Sequence, residues 1–164
     1  MAVYTTIDSP IGELLLTGEP SADGVVLTAL SMGGGKGVAV REHWTADPAA
    51  FGSVAAQLGD YFAGERTEFD LEFTTAGSDF QRRVWQALDR VPYGDTVTYG
   101  EIAARIGASR AAVRAVGTAI GSNPLLILRP CHRVIGADGS LTGYAGGVER
   151  KQRLLELERA RRAA

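Results

Sequence analysis

Thr98-Tyr99-Gly100-Glu101-Ile102-Ala103-Ala104-Arg105-Ile106-Gly107-Ala108-Ser109-Arg110 reads as a helix with both its signals in place. Thr98 and Glu101 have the spacing of a capping box, so the helix opens at Tyr99, runs through Ile102, Ala103 and Ile106, and ends at Gly107. Ala108-Ser109 makes a tight turn, and a second helix follows from about Arg110 to Ile120. Short helix, glycine-containing turn, second helix: this is helix-turn-helix spacing. Along the second helix Val113, Val116, Gly117 and Ile120 form the stripe expected to be buried. Arg110, Arg114 and Thr118 recur four apart on another side, with Ala111, Ala115 and Ala119 around them. Guanidiniums on a bed of small side chains let a helix approach a phosphate backbone or groove closely. The same pattern also describes a solvated helix face.

Upstream, Ser78-Asp79-Phe80-Gln81 is another capping box, and Phe80, Val84, Ala87, Leu88 and Val91 continue as an apolar stripe until Pro92-Tyr93-Gly94 stops the helix. Downstream, Gly121-Ser122-Asn123-Pro124 leads into Leu125-Leu126-Ile127-Leu128-Arg129-Pro130-Cys131-His132-Arg133-Val134-Ile135, a run expected to be strand-like and buried, left by a stiff corner at Pro130. Cys131 is the single cysteine and His132 one of two histidines. A thiol on a rigid turn, beside an imidazole and two guanidiniums, is a candidate for a lowered pKa and a nucleophilic thiolate; a lone cysteine can equally be a small buried hydrophobe. Gly136-Ala137-Asp138-Gly139 is a turn, and Leu141-Thr142-Gly143-Tyr144-Ala145-Gly146-Gly147 is a glycine-rich loop suited to walling a pocket. A last helix spans roughly Val148 to Arg162. At 100° per residue, Glu158 projects between Leu154 and Leu155 on its apolar face, while Glu156 points to water. A carboxylate so placed needs a partner. Glu158, His132 and Cys131 therefore suggest a relay in which the carboxylate orients the imidazole and the imidazole takes the thiol proton, through a water if direct contact fails.

The first half reads differently. Val3 to Ile7, Glu13 to Thr17 and Val25 to Leu30 are short strands, with turns at Ser9-Pro10-Ile11-Gly12 and over Gly18 to Gly24, which makes an antiparallel meander. Gly33-Gly34-Gly35-Lys36-Gly37 lacks the residues of a phosphate loop and is expected to be a surface loop. Asp47-Pro48 starts a helix whose Phe51, Val54, Ala55, Leu58, Tyr61 and Phe62 would cover the sheet. Phe69 to Phe73 alternates as an edge strand, and Thr74 to Gly77 marks a boundary. Residues 1–77 carry three basic against eleven acidic side chains and residues 78–164 fourteen against eight, so the net charge of -2 hides a basic second half, which suggests polyanion binding, with solvated charge on the terminal helix accounting for part of the excess. No apolar run reaches bilayer length and no basic leader precedes the first strand, so the expected location is cytoplasmic, with no membrane partner. One Cys and two His are too few for a zinc site, and neither metal nor cofactor is expected.

The motifs Phe80-Gln81-Arg82-Arg83-Val84-Trp85, Tyr93-Gly94-Asp95-Thr96-Val97-Thr98-Tyr99, Arg114-Ala115-Val116-Gly117, Asn123-Pro124 and Pro130-Cys131-His132-Arg133-Val134 resemble those of the O6-alkylguanine-DNA alkyltransferases. The resemblance implies an α/β (α+β) protein: a small amino-terminal antiparallel sheet with a helix (1–77), then a mainly helical, winged-helix-like DNA-binding domain (78–164). It implies DNA repair by direct reversal. An alkyl group on guanine O6, or on thymine O4, of duplex DNA would pass irreversibly to Cys131 after the nucleotide is flipped out. His132 would act through a water and Glu158 would complete the relay, Asn123 would shape the active-site turn, and Tyr99 would donate to a ring nitrogen of the departing base. Arg114 would fill the gap left by the extruded nucleotide, with Arg110, Ala115 and Thr118 on the DNA-facing side of the helix. Carbonyls at Cys131 and Val134, and the loop at Tyr144, Ala145 and Gly146, would hold the base. A monomer acting once per molecule is expected, with cooperative binding along DNA left open. The chain departs from the family pattern in a turn one residue longer before Arg114, in Ala145 where some members have serine, and in Arg129 at a normally apolar position, where it either lowers the Cys131 pKa or points to solvent. A transcription regulator that leaves Cys131 dispensable, or a cysteine hydrolase with repeated turnover, are the readings from other classes.

Overall fold

The computed structural model describes residues 2–33, 40, 42–141 and 143–163, with side chains through residue 160. The expected loop over Gly34 to Gly37 lies outside them.

Strands β1 (Val3–Ile7), β2 (Leu14–Ser21) and β3 (Gly24–Met32) form the antiparallel meander, and a short β4 (Thr45–Ala46) adds in parallel to β1, giving the order β3-β2-β1-β4. Sequence reading put Gly18 in a turn, but β2 passes straight through it to Ser21. The register shifts by a bulge between Thr17 and Gly18. A β-carbon on Gly18 would lie 2.5 Å from the Val26 carbonyl oxygen, so glycine is what lets the two strands close there. Asp47 caps a 3-10 turn (Pro48–Phe51) that runs into α1 (Gly52–Phe62), whose Val54, Leu58 and Tyr61 are buried with Phe51 against the sheet. The stretch from Phe69 to Phe73 is not a strand. It makes one bridge, Phe73 to Leu27, through hydrogen bonds at Glu72 and Thr74.

The second half contains α2 (Asp79–Leu88), α3 (Tyr99–Arg105), α4 (Val113–Gly121) and α5 (Val148–Ala163), with β5 (Val97–Thr98) paired in parallel to β6 (Val134–Ile135). Both capping boxes are present: Ser78 with Gln81, and Thr98 with Glu101. α3 ends just before Gly107, which takes φ 71°. Where one continuous second helix was expected from Arg110, the longer turn is absorbed by a 3-10 segment (Arg110–Ala112) and α4 proper begins at Val113. Arg110, Arg114, Ala111, Ala115 and Thr118 are exposed as expected, but Ala119 is buried and Val113 and Gly117 are only half-buried. The reason is Trp85: its indole N–H donates to the Ala119 carbonyl at 3.0 Å and locks α2 onto that side of α4.

Leu125, Leu126 and Ile127 are buried, yet they form no strand of the predicted kind. They turn. Ile127 adopts φ 69°, Leu128 N–H returns to the Leu126 carbonyl and Arg129 N–H to that of Leu125. A left-handed β-branched residue costs about 1–2 kcal/mol and persists only where its surroundings over-determine it. Here they do: Leu30 N–H donates to the Pro124 carbonyl at 2.8 Å and Leu126 N–H to that of Leu30 at 3.2 Å, so the turn is hydrogen-bonded to the edge of β3. The two halves thus share one core, and the sheet holds the cysteine segment in place.

Candidate active site

Asn123 organises the turn that carries the thiol. Its Oδ1 accepts from Leu125 N–H at 3.0 Å and from Arg129 Nη1 at 3.3 Å, while its Nδ2 lies 3.2 Å from the carbonyls of Leu125 and Arg129 and from Cys131 Sγ. Pro130 then leads into a 3-10 turn (Cys131–Arg133), so Cys131 and His132 are not on opposite faces of an extended segment. Cys131 is a buried free thiol.

His132 is fully buried, and its Nε2 lies 2.7 Å from Glu158 Oε2. Glu158 is also buried, on the apolar face of α5 as its position demanded. Arg133 Nε donates to Oε1 at 2.8 Å and Nη2 to Oε2 at 3.1 Å, and the Tyr61 hydroxyl donates to Oε2 at 2.6 Å. Burial pushes the Glu158 carboxyl up, but hydrogen bonds and charge from His132 and Arg133 outweigh it and hold the group well below the usual carboxylate range. An ionised Glu158 can only accept, so His132 Nε2 carries the hydrogen and Nδ1 the lone pair. Nδ1 is buried and has no hydrogen-bond partner among the described residues. Burial, opposed by Glu158, keeps the imidazole below its ordinary value and therefore neutral. The site holds a neutral imidazole next in sequence to a thiol.

The lowered thiol pKa expected from the sequence is not what the structure holds. Burial pushes Cys131 up to about 11, and the Asn123 hydrogen bond, the Lys151 charge and the Arg129 charge pull it down less. Neighbouring cations were visible in the sequence, but depth of burial was not. Of the two readings of Arg129, the first holds: it is buried and its charge is among those that pull the thiol down, and it does not point to solvent. Its guanidinium lies 4.8 Å from the Trp85 ring centre and 5.5 Å from that of Phe73, with Nε 3.6 Å from Asp89 Oδ1.

Cys131 lines a cavity of about 250 Å³ whose other walls are Tyr99 from α3, Gly117, Ile120 and Gly121 from α4, Leu126, and Gly143, Tyr144 and Ala145 of the glycine-rich loop. The Tyr144 hydroxyl is buried and has no partner among the described residues. Val134 and Gly146, both expected at this pocket, are not among its lining residues: Val134 pairs with Val97, and the Gly146 carbonyl accepts from Arg150 at 3.2 Å. A larger open cleft of about 730 Å³, bordered by Arg83, Arg90 and Arg105, has no thiol or hydroxyl among its lining residues.

The arrangement is a buried cysteine thiol lining a cavity of about 250 Å³ whose walls include residues of both helices of the helix-turn-helix. Residues 79–160 match the family described as 6-O-methylguanine DNA methyltransferase, DNA binding domain, and residues 2–75 match the ribonuclease-like domain of the same family. The chain belongs to the 6-O-methylguanine DNA methyltransferases. It is similar to the methylated-DNA–protein-cysteine methyltransferase of Mycobacterium tuberculosis (57% identity over 164 residues, 100% of this chain and 96% of the relative) and to that of Methanosarcina acetivorans (46% over 155 residues, 94% and 97%). The crystal structure of Mycobacterium tuberculosis OGT in complex with DNA matches with a TM-score of 0.87 at 57% identity, covering 97% of this chain and 94% of that one. The Pyrococcus kodakaraensis O6-methylguanine-DNA methyltransferase, at 23% identity and a TM-score of 0.65, shares the fold. The activity is DNA repair by transfer of an alkyl group to a protein cysteine. The regulator and hydrolase readings find no support in these relatives.

Three residues that touch the cavity walls or the Glu158 carboxylate are not among the site residues expected from the sequence. In the sequence Arg133 reads as a charge near the thiol and as a member of the Pro130-to-Val134 motif, Tyr61 as part of the apolar face of α1, and Lys151 belongs to no functional motif. Lys151 is fully buried, its Nζ donates to the Gly143 carbonyl at 3.2 Å and lies 6.0 Å from the Tyr99 ring centre, so it ties together two walls of the cavity. A signal existed: Lys151 falls three residues before Leu154 and seven before Glu158, on the same helix face.

Proposed function

We propose that Cys131 takes the alkyl group from O6 of a guanine, or from O4 of a thymine, turned out of duplex DNA into the cavity at α4. One observation carries this reading: the free thiol borders a cavity walled on one side by the second helix of the helix-turn-helix and on the other by the glycine-rich loop. The sulfur lone pair attacks the alkyl carbon in line, the new S–C bond forms as the C–O6 bond breaks, and the bonding electrons pass into the purine. Tyr99 donates a hydrogen bond to a ring nitrogen of the departing base and so stabilises the anion that leaves. The Cys131 proton passes through a water to His132 Nδ1, and Glu158 stabilises the imidazolium that forms.

A thiol whose anion is penalised by burial is reactive once deprotonated, because little solvation is lost on the way to the neutral thioether. The thioether has no easy leaving group, so each molecule acts once. Exposed Arg114 on α4 fills the gap in the stack, while Arg110, Ala115 and Thr118 face the backbone and groove. We further propose that residues 1–77 and 78–164 are the two domains, and that the protein acts as a cytoplasmic monomer without a cofactor.

The test is intact-protein mass spectrometry after incubation with an oligonucleotide duplex containing O6-methylguanine. The protein should gain one methyl group, on Cys131, in proportion to lesion added, and Cys131→Ala should bind the duplex without gaining mass. An unmodified protein beside an unrepaired lesion would overturn the proposal.

A further inference from the structure

Tyr61 belongs to α1, in the first half of the chain, and is 1% exposed. Its ring is fixed on three sides by Phe62, Phe69 and Tyr93, with ring centres 5.3, 5.4 and 6.2 Å away. An aromatic residue at that position needs no hydroxyl to pack. The hydroxyl nonetheless makes a 2.6 Å bond to Glu158 Oε2, across 97 positions of sequence, and Oε2 is the oxygen that faces His132 Nε2 at 2.7 Å. Arg133 divides its two bonds between Oε1 and Oε2 and is itself stacked 5.6 Å from the ring centre of Tyr93.

We propose that Tyr61 is a positioning residue of the repair reaction, supplied to the relay by the amino-terminal domain: its hydroxyl orients Glu158 and shares Oε2 with His132. This rests on the relay reading given above. A second donor on Oε2 withdraws electron density from the oxygen that holds the His132 hydrogen, and so weakens the pull of Glu158 on an imidazolium. Tyr61 therefore keeps His132 less basic than a two-member pair would, which favours the neutral imidazole the relay needs. Desolvation, with the Glu158 charge adding to it, pushes the phenol far above its ordinary value, so it remains a donor at every working pH. Among the described residues, the groups around this carboxylate and imidazole are Tyr61 from α1, Arg133 on the cysteine turn, Tyr144 on the loop and Lys151 on α5, with Tyr93 after α2 packed against Tyr61 and Arg133. None of the others places a neutral hydroxyl on Oε2.

Tyr61→Phe keeps the ring and removes the bond. Losing one donor to a buried carboxylate should raise the His132 titration midpoint by about one pH unit, a tenfold change in proton affinity, read by nitrogen NMR of the labelled imidazole. The acid limb of the single-turnover methyl-transfer rate should move up by the same amount. Replacing Tyr61 by a ring-fluorinated tyrosine, a stronger donor of nearly the same shape, should move both midpoints down, which keeps the test open should Tyr61→Phe fold poorly. A His132 midpoint unchanged in both variants, with only the melting temperature altered, overturns the proposal and makes Tyr61 a packing residue. A midpoint that moves while the transfer-rate profile stays still overturns the relay itself.

Discussion

Glu158→Gln isolates the buried charge on which the site is built. In the wild type Arg133 and Glu158 form a two-bond pair, 7% and 1% exposed, and His132 and Tyr61 bond the same carboxylate. The amide has the same shape but no charge, and its NH2 group faces Arg133 donors that cannot accept from it. Removing one partner of a buried pair leaves the other uncompensated, at a cost of about 3–5 kcal/mol. For a chain of this size that lowers the melting temperature by roughly 10 °C. The pH dependence supplies the sharper test. Glu158 has a folded pKa held below its ordinary value of 4.5, so its contribution is complete above that value and is lost as pH falls through the folded value. His132, held below its ordinary 6.5 in the folded protein, makes stability fall as pH drops below 6.5 in both proteins, since the unfolded chain takes up that proton first. Denaturant unfolding at a series of pH values should therefore show the two curves converging in acid, below 4.5. Glu156→Gln is the internal control, because Glu156 is exposed on the same helix, with Gln152 bonded to it at 3.0 Å, and it should change stability by less than about 0.5 kcal/mol. If Glu158→Gln costs no more than Glu156→Gln, or if the two curves stay parallel in acid, the buried pair does not do what its geometry says.

Two further predictions address the reaction. Arg114→Ala should weaken extrusion and slow repair of duplex DNA while leaving Cys131 able to react with the free alkylated base; equal loss of both activities would refute the finger role. Lys151→Met removes a fully buried cation whose charge lowers the thiol pKa, so the thiol should rise beyond about 11 and modification by iodoacetamide at fixed pH should slow about tenfold per unit, measured as rate against pH. An unchanged midpoint would reduce Lys151 to a brace for Gly143.

Much of this protein is written in short-range patterns that need no third dimension. The capping boxes at Ser78 and Thr98, the stop at Gly107, the three meander strands and the inward position of Glu158 depend on residues within a few places of one another, where propensity and periodicity act directly. The family motifs around Cys131 were legible for the same reason: a reactive turn is a local object. What the chain's own order could not decide is whatever depends on depth or on a distant partner. Ile127 reads as a strand residue and turns because β3 and Asn123 bond its neighbours into a loop. Cys131 reads as an activated thiol and is instead pushed up, because desolvation grows with every layer packed over the sulfur while the charges beside it act at fixed range. Tyr61 reads as one more apolar face residue. Only when the amino-terminal helix settles against α5 does its hydroxyl meet a carboxylate, since a contact between residues far apart in sequence exists only once the shared core has formed.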